Sequence, residues 1–266
     1  MAYLDENDAP LGFWIGNLCC KVYNLVMPSL IQSIRARYLQ TLERIAAAEA
    51  RAGRASGSTR LVVVTKSQPR EVVEAALEAG VKILGENYPE EAVEKIKAIG
   101  KVDAEWHMIG HVQSRKADLI PANFALMHSL DSLKLANRLE RFAAEHPLSV
   151  LLEFNVGGEE SKSGWQAVDE SRWPEFLPEI DMMLKLPHLK VRGLMTMPPL
   201  FDDPEQTRPH FQKLRRLREF LKQNFPAVDW SELSMGTSAD FVAAVEEGAT
   251  LVRVGTAIVG PRPPKA

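Results

Sequence analysis

The chain has 266 residues, 45% hydrophobic and 25% charged, with a net charge of −3, an ordinary globular composition that gives no basic footprint for nucleic acid. Its only cysteines are the neighbours Cys19 and Cys20, which excludes a disulfide framework or a cysteine-based metal site and fits a reducing, cytoplasmic location. No apolar run reaches the roughly 20 residues that span a bilayer, and the six His lack a His-Glu-x-x-His spacing, so neither a membrane span nor a zinc site is expected.

Residues 1–26 begin acidic (Asp5, Glu6, Asp8) and turn mildly apolar from Leu11 to Cys20. A secretory signal would begin with positive charge, so this stretch is expected to be a poorly ordered N-terminal extension. Met27-Pro28-Ser29 then opens a single folded domain over residues 27–266. Ile31 to Arg51 is Ala-rich and periodic, which predicts a leading helix, and Gly53 to Ser58 ends it. Apolar, β-branched runs at 61–65, 81–84, 105–109, 124–128, 149–155, 189–194, 231–233 and 250–254 predict eight strands. Segments 70–79, 89–98, 113–119, 132–145, 173–185, 206–223 and 239–246 predict the helices between them. The basic cluster Lys213, Arg215, Arg216 and Arg218 falls in the sixth of these, alternating with Leu214, Leu217 and Leu221, and reads as a solvated helix face. Eight strands with seven intervening helices and one in front predict a single-domain (β/α)8 TIM barrel. An open doubly wound sheet would place a G-x-G-x-x-G after its first strand, and none is present.

In such a barrel the chemistry belongs at the C-terminal strand ends, and polar residues collect there. The first strand runs into Lys66 and the second into Glu86-Asn87. The third carries His107 and reaches His111 and Gln113, and the fourth gives His128. The fifth gives Asn155 and the sixth Met195. After the seventh come Ser234, Gly236, Thr237, Ser238 and Asp240, and the eighth supplies Arg253 and Gly255. Glycines and hydroxyls before a helix at Ser238 suit close approach to a phosphate. A lysine attacks a carbonyl only as the neutral amine, so its reference pKa of about 10.4 must fall, and burial beside Arg253 would lower it. The residues thus point to Schiff-base chemistry on a phosphorylated carbonyl compound. They leave open a sugar phosphate, as in an aldolase-like enzyme, or pyridoxal 5′-phosphate.

Several motifs carry a resemblance. Val63-Val64-Thr65-Lys66, Gly85-Glu86-Asn87-Tyr88 and the run from Trp106 to Gln113 are the first, followed by Gly158 to Gly164 and Gly193-Leu194-Met195-Thr196-Met197-Pro198. Leu233-Ser234-Met235-Gly236 and the run from Val252 to Gly260 complete the series. Together they resemble the pyridoxal phosphate homeostasis protein family, itself similar to the barrel domain of alanine racemase. Thr237, Arg115 and Pro89-Glu90 depart from the family's usual residues. The resemblance implies pyridoxal 5′-phosphate held as a Schiff base on Lys66, with phosphate contacts from Ser234, Gly236, Ser238 and the backbone near Gly255. It implies further that Arg253 faces the pyridine nitrogen and that Asn87 and Met195 line the ring. A racemase would need a second acid/base, supplied in alanine racemase by a tyrosine of an additional C-terminal domain. The sequence ends at Ala266 without such a domain. The expected function is therefore vitamin B6 homeostasis by a monomeric, non-catalytic carrier with no catalytic residue, whose partners are apo-enzymes that accept the cofactor. An amino-acid racemase is the alternative.

Overall fold

A computed structural model describes residues 11–262, with side chains described from residue 27. The first element is a long helix, α1 (Leu11–Arg51). The leading helix was expected from Ile31, after an extension over 1–26. Residues 1–10 of that extension lie outside the described residues, whereas 11–26 form the first turns of α1. The physical reason is that no proline interrupts Leu11 to Met27. Pro28, expected to open the domain, lies inside the helix, where it removes one backbone hydrogen bond without ending the run.

Alternation follows. The chain continues through β1 (Arg60–Val64), α2 (Arg70–Glu78), β2 (Ile83–Glu86), α3 (Pro89–Ile99) and β3 (Glu105–Met108). Next come β4 (Leu126–Leu130), α4 (Leu133–Glu140), β5 (Leu148–Asn155), β6 (Trp165–Gln166) and α5 (Leu177–Leu184). The last elements are β7 (Leu189–Met195), α6 (Arg208–Asn224), β8 (Glu232–Ser234), α7 (Phe241–Glu246), β9 (Leu251–Val254) and α8 (Thr256–Val259). The helix expected at 113–119 is a 3-10 helix, Ser114–Leu119, a form that six residues can adopt where a longer segment would settle into α geometry. Helix α4 is shorter than the expected 132–145. It starts at the Ser132 cap, whose side chain accepts from Leu135 N.

All strand pairings are parallel. The ring runs β1-β2-β3-β4-β5-β7-β8-β9 and closes by β9 against β1, with Val62 opposite Arg253 and Val63 opposite Val254. Two-residue β6 is an appendage on the outer edge of β5, pairing Phe154 with Trp165. The seventh and eighth expected strands are therefore β8 and β9. The expected (β/α)8 barrel is the observed fold.

Inside the barrel, Val62, Ile83, Leu126, Leu151, Met195 and Leu251 form one apolar cluster. Each contributes roughly 1.5–3 kcal/mol by leaving water. A second, larger core lies between the strands and the surrounding helices. Helix α1 adds Ile34, Tyr38, Ile45 and Ala48 to it, a spacing that keeps one helix face inward. That face packs on α2, α7 and α8. Arg35 donates to Glu78 O at 2.7 Å, Arg51 pairs with Glu246 at 2.8 Å, and the Arg44 guanidinium lies 4.6 Å from the centre of the Phe241 ring. Helix α1 thus covers the seam where the first and last strands meet. Among the described residues no helix is long and apolar enough to cross a membrane.

The β7–β8 register depends on one glycine. Gly193 pairs with Glu232, at φ 152°, and a Cβ there would stand 1.9 Å from Glu232 O. Gly193→Ala is expected to lower stability by about 3 kcal/mol, read as a fall in the urea midpoint. An unchanged midpoint would contradict this register.

Candidate functional site

Lys66 stands two residues beyond the end of β1, in a turn gripped from α3. Thr65 Oγ1 donates to Glu86 Oε1 at 2.7 Å, and Lys95 Nζ donates to Thr65 O at 3.1 Å. Lys95 also pairs with Glu86 at 2.9 Å and with Glu91 at 2.6 Å. Ser67, at φ 57°, donates its N–H to Glu91 Oε1 at 3.0 Å. Both Lys95 and Glu86 are buried, and through these bonds the cluster fixes the backbone on either side of Lys66.

Lys66 itself has no hydrogen bond or ion pair among the described residues. Burial depresses its pKa, the positive charges of Arg262 and Arg253 depress it further, and Glu86 opposes them. The result is an amine closer to its neutral, nucleophilic form than an exposed lysine.

The amine faces a cleft of about 300 Å3 at the C-terminal mouth of the barrel. Val64 and Lys66 come from the end of β1, Asn87 from the end of β2 and Ile109 from the end of β3. Met197 and Leu200 come from the segment after β7. The loop after β8 gives Thr237 and Ser238, and the end of β9 gives Arg253, Gly255 and Thr256, with Arg262 beyond. Asn87 Oδ1 is buried with no partner among the described residues. Gly255 N donates to Ser238 Oγ at 3.3 Å, so the Ser238 hydroxyl proton is left for another acceptor. Asp240 holds the loop by accepting from Thr237 N at 2.6 Å and Thr237 Oγ1 at 3.0 Å.

Arg253 is buried at the cleft floor. It donates through Nη1 to Ser234 Oγ and through Nη2 to Thr196 O at 2.9 Å and Met197 Sδ at 3.1 Å. Burial pushes its pKa down to about 10, against the opposing pull of Asp240 and Glu153, so it keeps its charge at neutral pH. Burial, reinforced by Asp131, raises the nearby Glu153 to about 7, while Arg253 and Lys162 work against the rise.

The structure brings five of the eight sequence-predicted site residues together in the cleft wall: Lys66, Asn87, Ser238, Arg253 and Gly255. Three lie elsewhere. Met195 belongs to the apolar cluster inside the barrel, and Met197, two residues on, takes the wall position instead. Ser234 is fully buried beneath the cleft, bonded to Arg253 and to His128 Nδ1 at 2.7 Å. Gly236, at φ 93°, shapes the loop: a Cβ would meet Ala244 Cβ at 2.5 Å, and its carbonyl accepts from Arg253 N at 3.0 Å. Sequence reasoning missed Met197, Leu200 and Arg262. Met197 was signalled by the Met195-Thr196-Met197 run, whereas Arg262, in the Pro-rich stretch after β9, carried no signal.

Residues 41–263 match the family described as alanine racemase, N-terminal domain. The chain is 42% identical over 229 residues to a pyridoxal phosphate homeostasis protein of Aquifex aeolicus, covering 85% of this chain and 97% of that protein. It is similar to the solved structure of PipY from Synechococcus elongatus with pyridoxal phosphate (PLP) bound, with a TM-score of 0.69 and 33% identity over 82% of this chain and 99% of that one. An alanine racemase of Clostridium difficile, at 17% identity and a TM-score of 0.63 over 88% of this chain and 58% of that one, shares the fold.

The electrostatics yield a direct expectation. In protein whose lysines carry 13C-methyl labels, the Lys66 resonance should titrate below the ordinary lysine range. Arg262→Gln, which removes one of the two cations that depress it, should move that midpoint upward. A Lys66 midpoint equal to that of the exposed lysines would contradict the site described here.

Proposed function

The chain belongs to the pyridoxal phosphate homeostasis protein family, and from that premise we propose that it holds pyridoxal 5′-phosphate covalently at Lys66. In this reading it serves vitamin B6 homeostasis as a cytoplasmic carrier without robust catalysis of its own. One observation carries the proposal: an unpaired, pKa-depressed lysine faces a cleft whose wall holds Arg253 and Arg262 but, among the described residues, no carboxylate.

The residues present fit the cofactor. Asn87 Oδ1 is a buried polar atom without a partner among the described residues, a state that calls for an explanation, which a ligand would supply. The Ser238 hydroxyl, already accepting from Gly255 N, has its proton available for a phosphate oxygen, and the cations favour a phosphate dianion. When bound, the cofactor would supply an aldehyde carbon for an amine and an aromatic ring that can take up electrons. Lys66 Nζ is the amine, and burial keeps a larger share of it unprotonated. Arg253, already donating to Ser234 and Thr196, would present positive charge to the ring nitrogen. A guanidinium has no proton acceptor and discourages protonation of its neighbour, which makes the ring a weaker electron sink and suits storage.

The composition of the wall supports the carrier reading over a racemase. Racemisation needs proton donors or acceptors on both faces of the substrate carbon. Among the described residues the wall contains no His, Tyr, Asp or Glu. Tyr88, the tyrosine beside a strand end, is half exposed and outside the wall. The apo-enzymes that take up the cofactor are the partners this reading implies.

Purified protein mixed with pyridoxal 5′-phosphate should develop the visible absorption band of a lysine-bound pyridoxal, and Lys66→Ala should lack it. A band of equal intensity in Lys66→Ala would overturn the attachment point. Loaded protein incubated with L-alanine in D2O should leave the Cα hydrogen in place, whereas deuterium at Cα with D-alanine accumulating would establish the racemase instead.

A further inference from the structure

Below the cleft, a line of buried polar groups continues down the inside of the barrel to its opposite mouth. Arg253 Nη1 donates to Ser234 Oγ, and Ser234 Oγ lies 2.7 Å from His128 Nδ1. His128 Nε2 lies 3.0 Å from His107 Nδ1, and His107 Nε2 lies 3.1 Å from Glu105 Oε2. Both imidazoles and the serine are buried, while Glu105 reaches solvent. It does so in a separate crevice of about 340 Å3 that it shares with Arg60, Arg192 and Glu232. None of His128, His107 or Glu105 touches the cleft wall.

The donor inventory gives this line one direction. A guanidinium only donates, so Ser234 Oγ is an acceptor toward Arg253 and has its own proton left to give. At the other end the Glu105 carboxylate only accepts, so a neutral His107 carries its proton on Nε2 and accepts at Nδ1. This places the His128 proton on Nε2 and leaves His128 Nδ1 to receive the Ser234 proton. That N–H then points to His107 Nδ1, which accepts, and the His107 proton on Nε2 goes to Glu105. Every group is satisfied with both imidazoles neutral, a cation at one end and a carboxylate at the other. The reverse order, with the proton on His128 Nδ1, would put the His107 proton on Nδ1 and leave the His107 Nε2 lone pair facing the Glu105 carboxylate, acceptor against acceptor.

From this geometry we propose that His128, His107 and Glu105 are positioning residues for the cofactor cleft. By fixing the Ser234 hydroxyl, they hold the Arg253 guanidinium at the cleft floor from the far side of the barrel. The inference rests on the reading of the cleft as a pyridoxal 5′-phosphate site, and its test has one arm without cofactor and one with it.

In free protein labelled with 15N-histidine and 15N-arginine, His128 and His107 should both be neutral with the proton on Nε2, and Arg253 should show separate, slowly exchanging Nη–H signals. His128→Phe should collapse those signals and weaken pyridoxal 5′-phosphate binding by on the order of ten-fold, the usual consequence of a buried group losing its partner. His128→Asn retains an acceptor near the Nδ1 position, so it should keep the Arg253 signals and bind within about two-fold of wild type. If the histidine were merely filling space, the smaller Asn would do worse than Phe. Glu105→Gln, still an acceptor, should match wild type, and Glu105→Leu should weaken binding several-fold. A proton on His128 Nδ1, or a folded His128→Phe with intact Arg253 signals and unchanged affinity, would overturn the proposal. If wild-type protein failed to bind the cofactor, the reading of the cleft would fall, while the Arg253 signals in the free variants would still show whether this line holds the guanidinium.

Discussion

A guanidinium enclosed by a barrel must have its charge and its donors satisfied where it sits, and the upper half of this molecule is arranged around that requirement. An uncompensated buried charge costs several kcal/mol even after relaxation. Arg253 meets the cost by joining three strands: its own β9, β8 through Ser234, and the end of β7 through the Thr196 carbonyl and Met197 sulfur. Once those bonds form, the segments after β7 and β8 have little freedom, and Met197 and Ser238 fall on the cleft as a result. Asp240 and Glu153 favour the charge without pairing directly with it, and Asp240 also ties down the Thr237 turn.

Two lysines near the first strand show how surroundings set chemical fate. Lys95 is buried and paired with both Glu86 and Glu91. Lys66 meets two arginines and no pairing carboxylate. The same side chain is thereby a member of an ion-pair cluster in one place and, among the described residues, an amine without an ion-pair partner in the other. The Glu86 carboxylate separates the two roles: it engages Lys95 and Thr65 through one oxygen and leaves the other unpartnered.

Most of the fold was legible because parallel barrel strands, covered on both faces, appear as continuous apolar runs. Lys66, Asn87, Ser238 and Gly255 could be placed for a related reason, since a residue beyond the C-terminal end of such a run has the barrel mouth to occupy. Arg253, by contrast, lies within β9 and stood out as the one charge in an apolar strand. Depth was not legible. Met195 and Met197 lie two residues apart on one strand and its extension, and alternation alone assigns them to the same face. Which of them reaches the mouth depends on strand tilt and stagger, properties of the closed barrel rather than of any single strand. Ser234 and Ser238 were grouped for the same reason, although one serves Arg253 from below and the other lines the cleft. β6 escaped notice because two residues carry no usable periodicity. Helix α1 was placed too late because Pro28 looked like a beginning.

The seam under α1 has a temporal meaning. Lys66 follows the first strand and Arg253 lies on the last, so nearly the whole chain must be made before they can meet. The β1–β9 pairing is among the most distant in sequence, and contacts of that kind form late because a long loop must close before they are rewarded. A chain still emerging from the ribosome would carry the lysine without the arginine, the Ser238 loop or the floor of the cleft. A ligand held there would bind only the finished barrel and draw the population toward it by mass action. A cleft assembled from both ends of the chain is in that sense complete only in molecules that have already finished their fold.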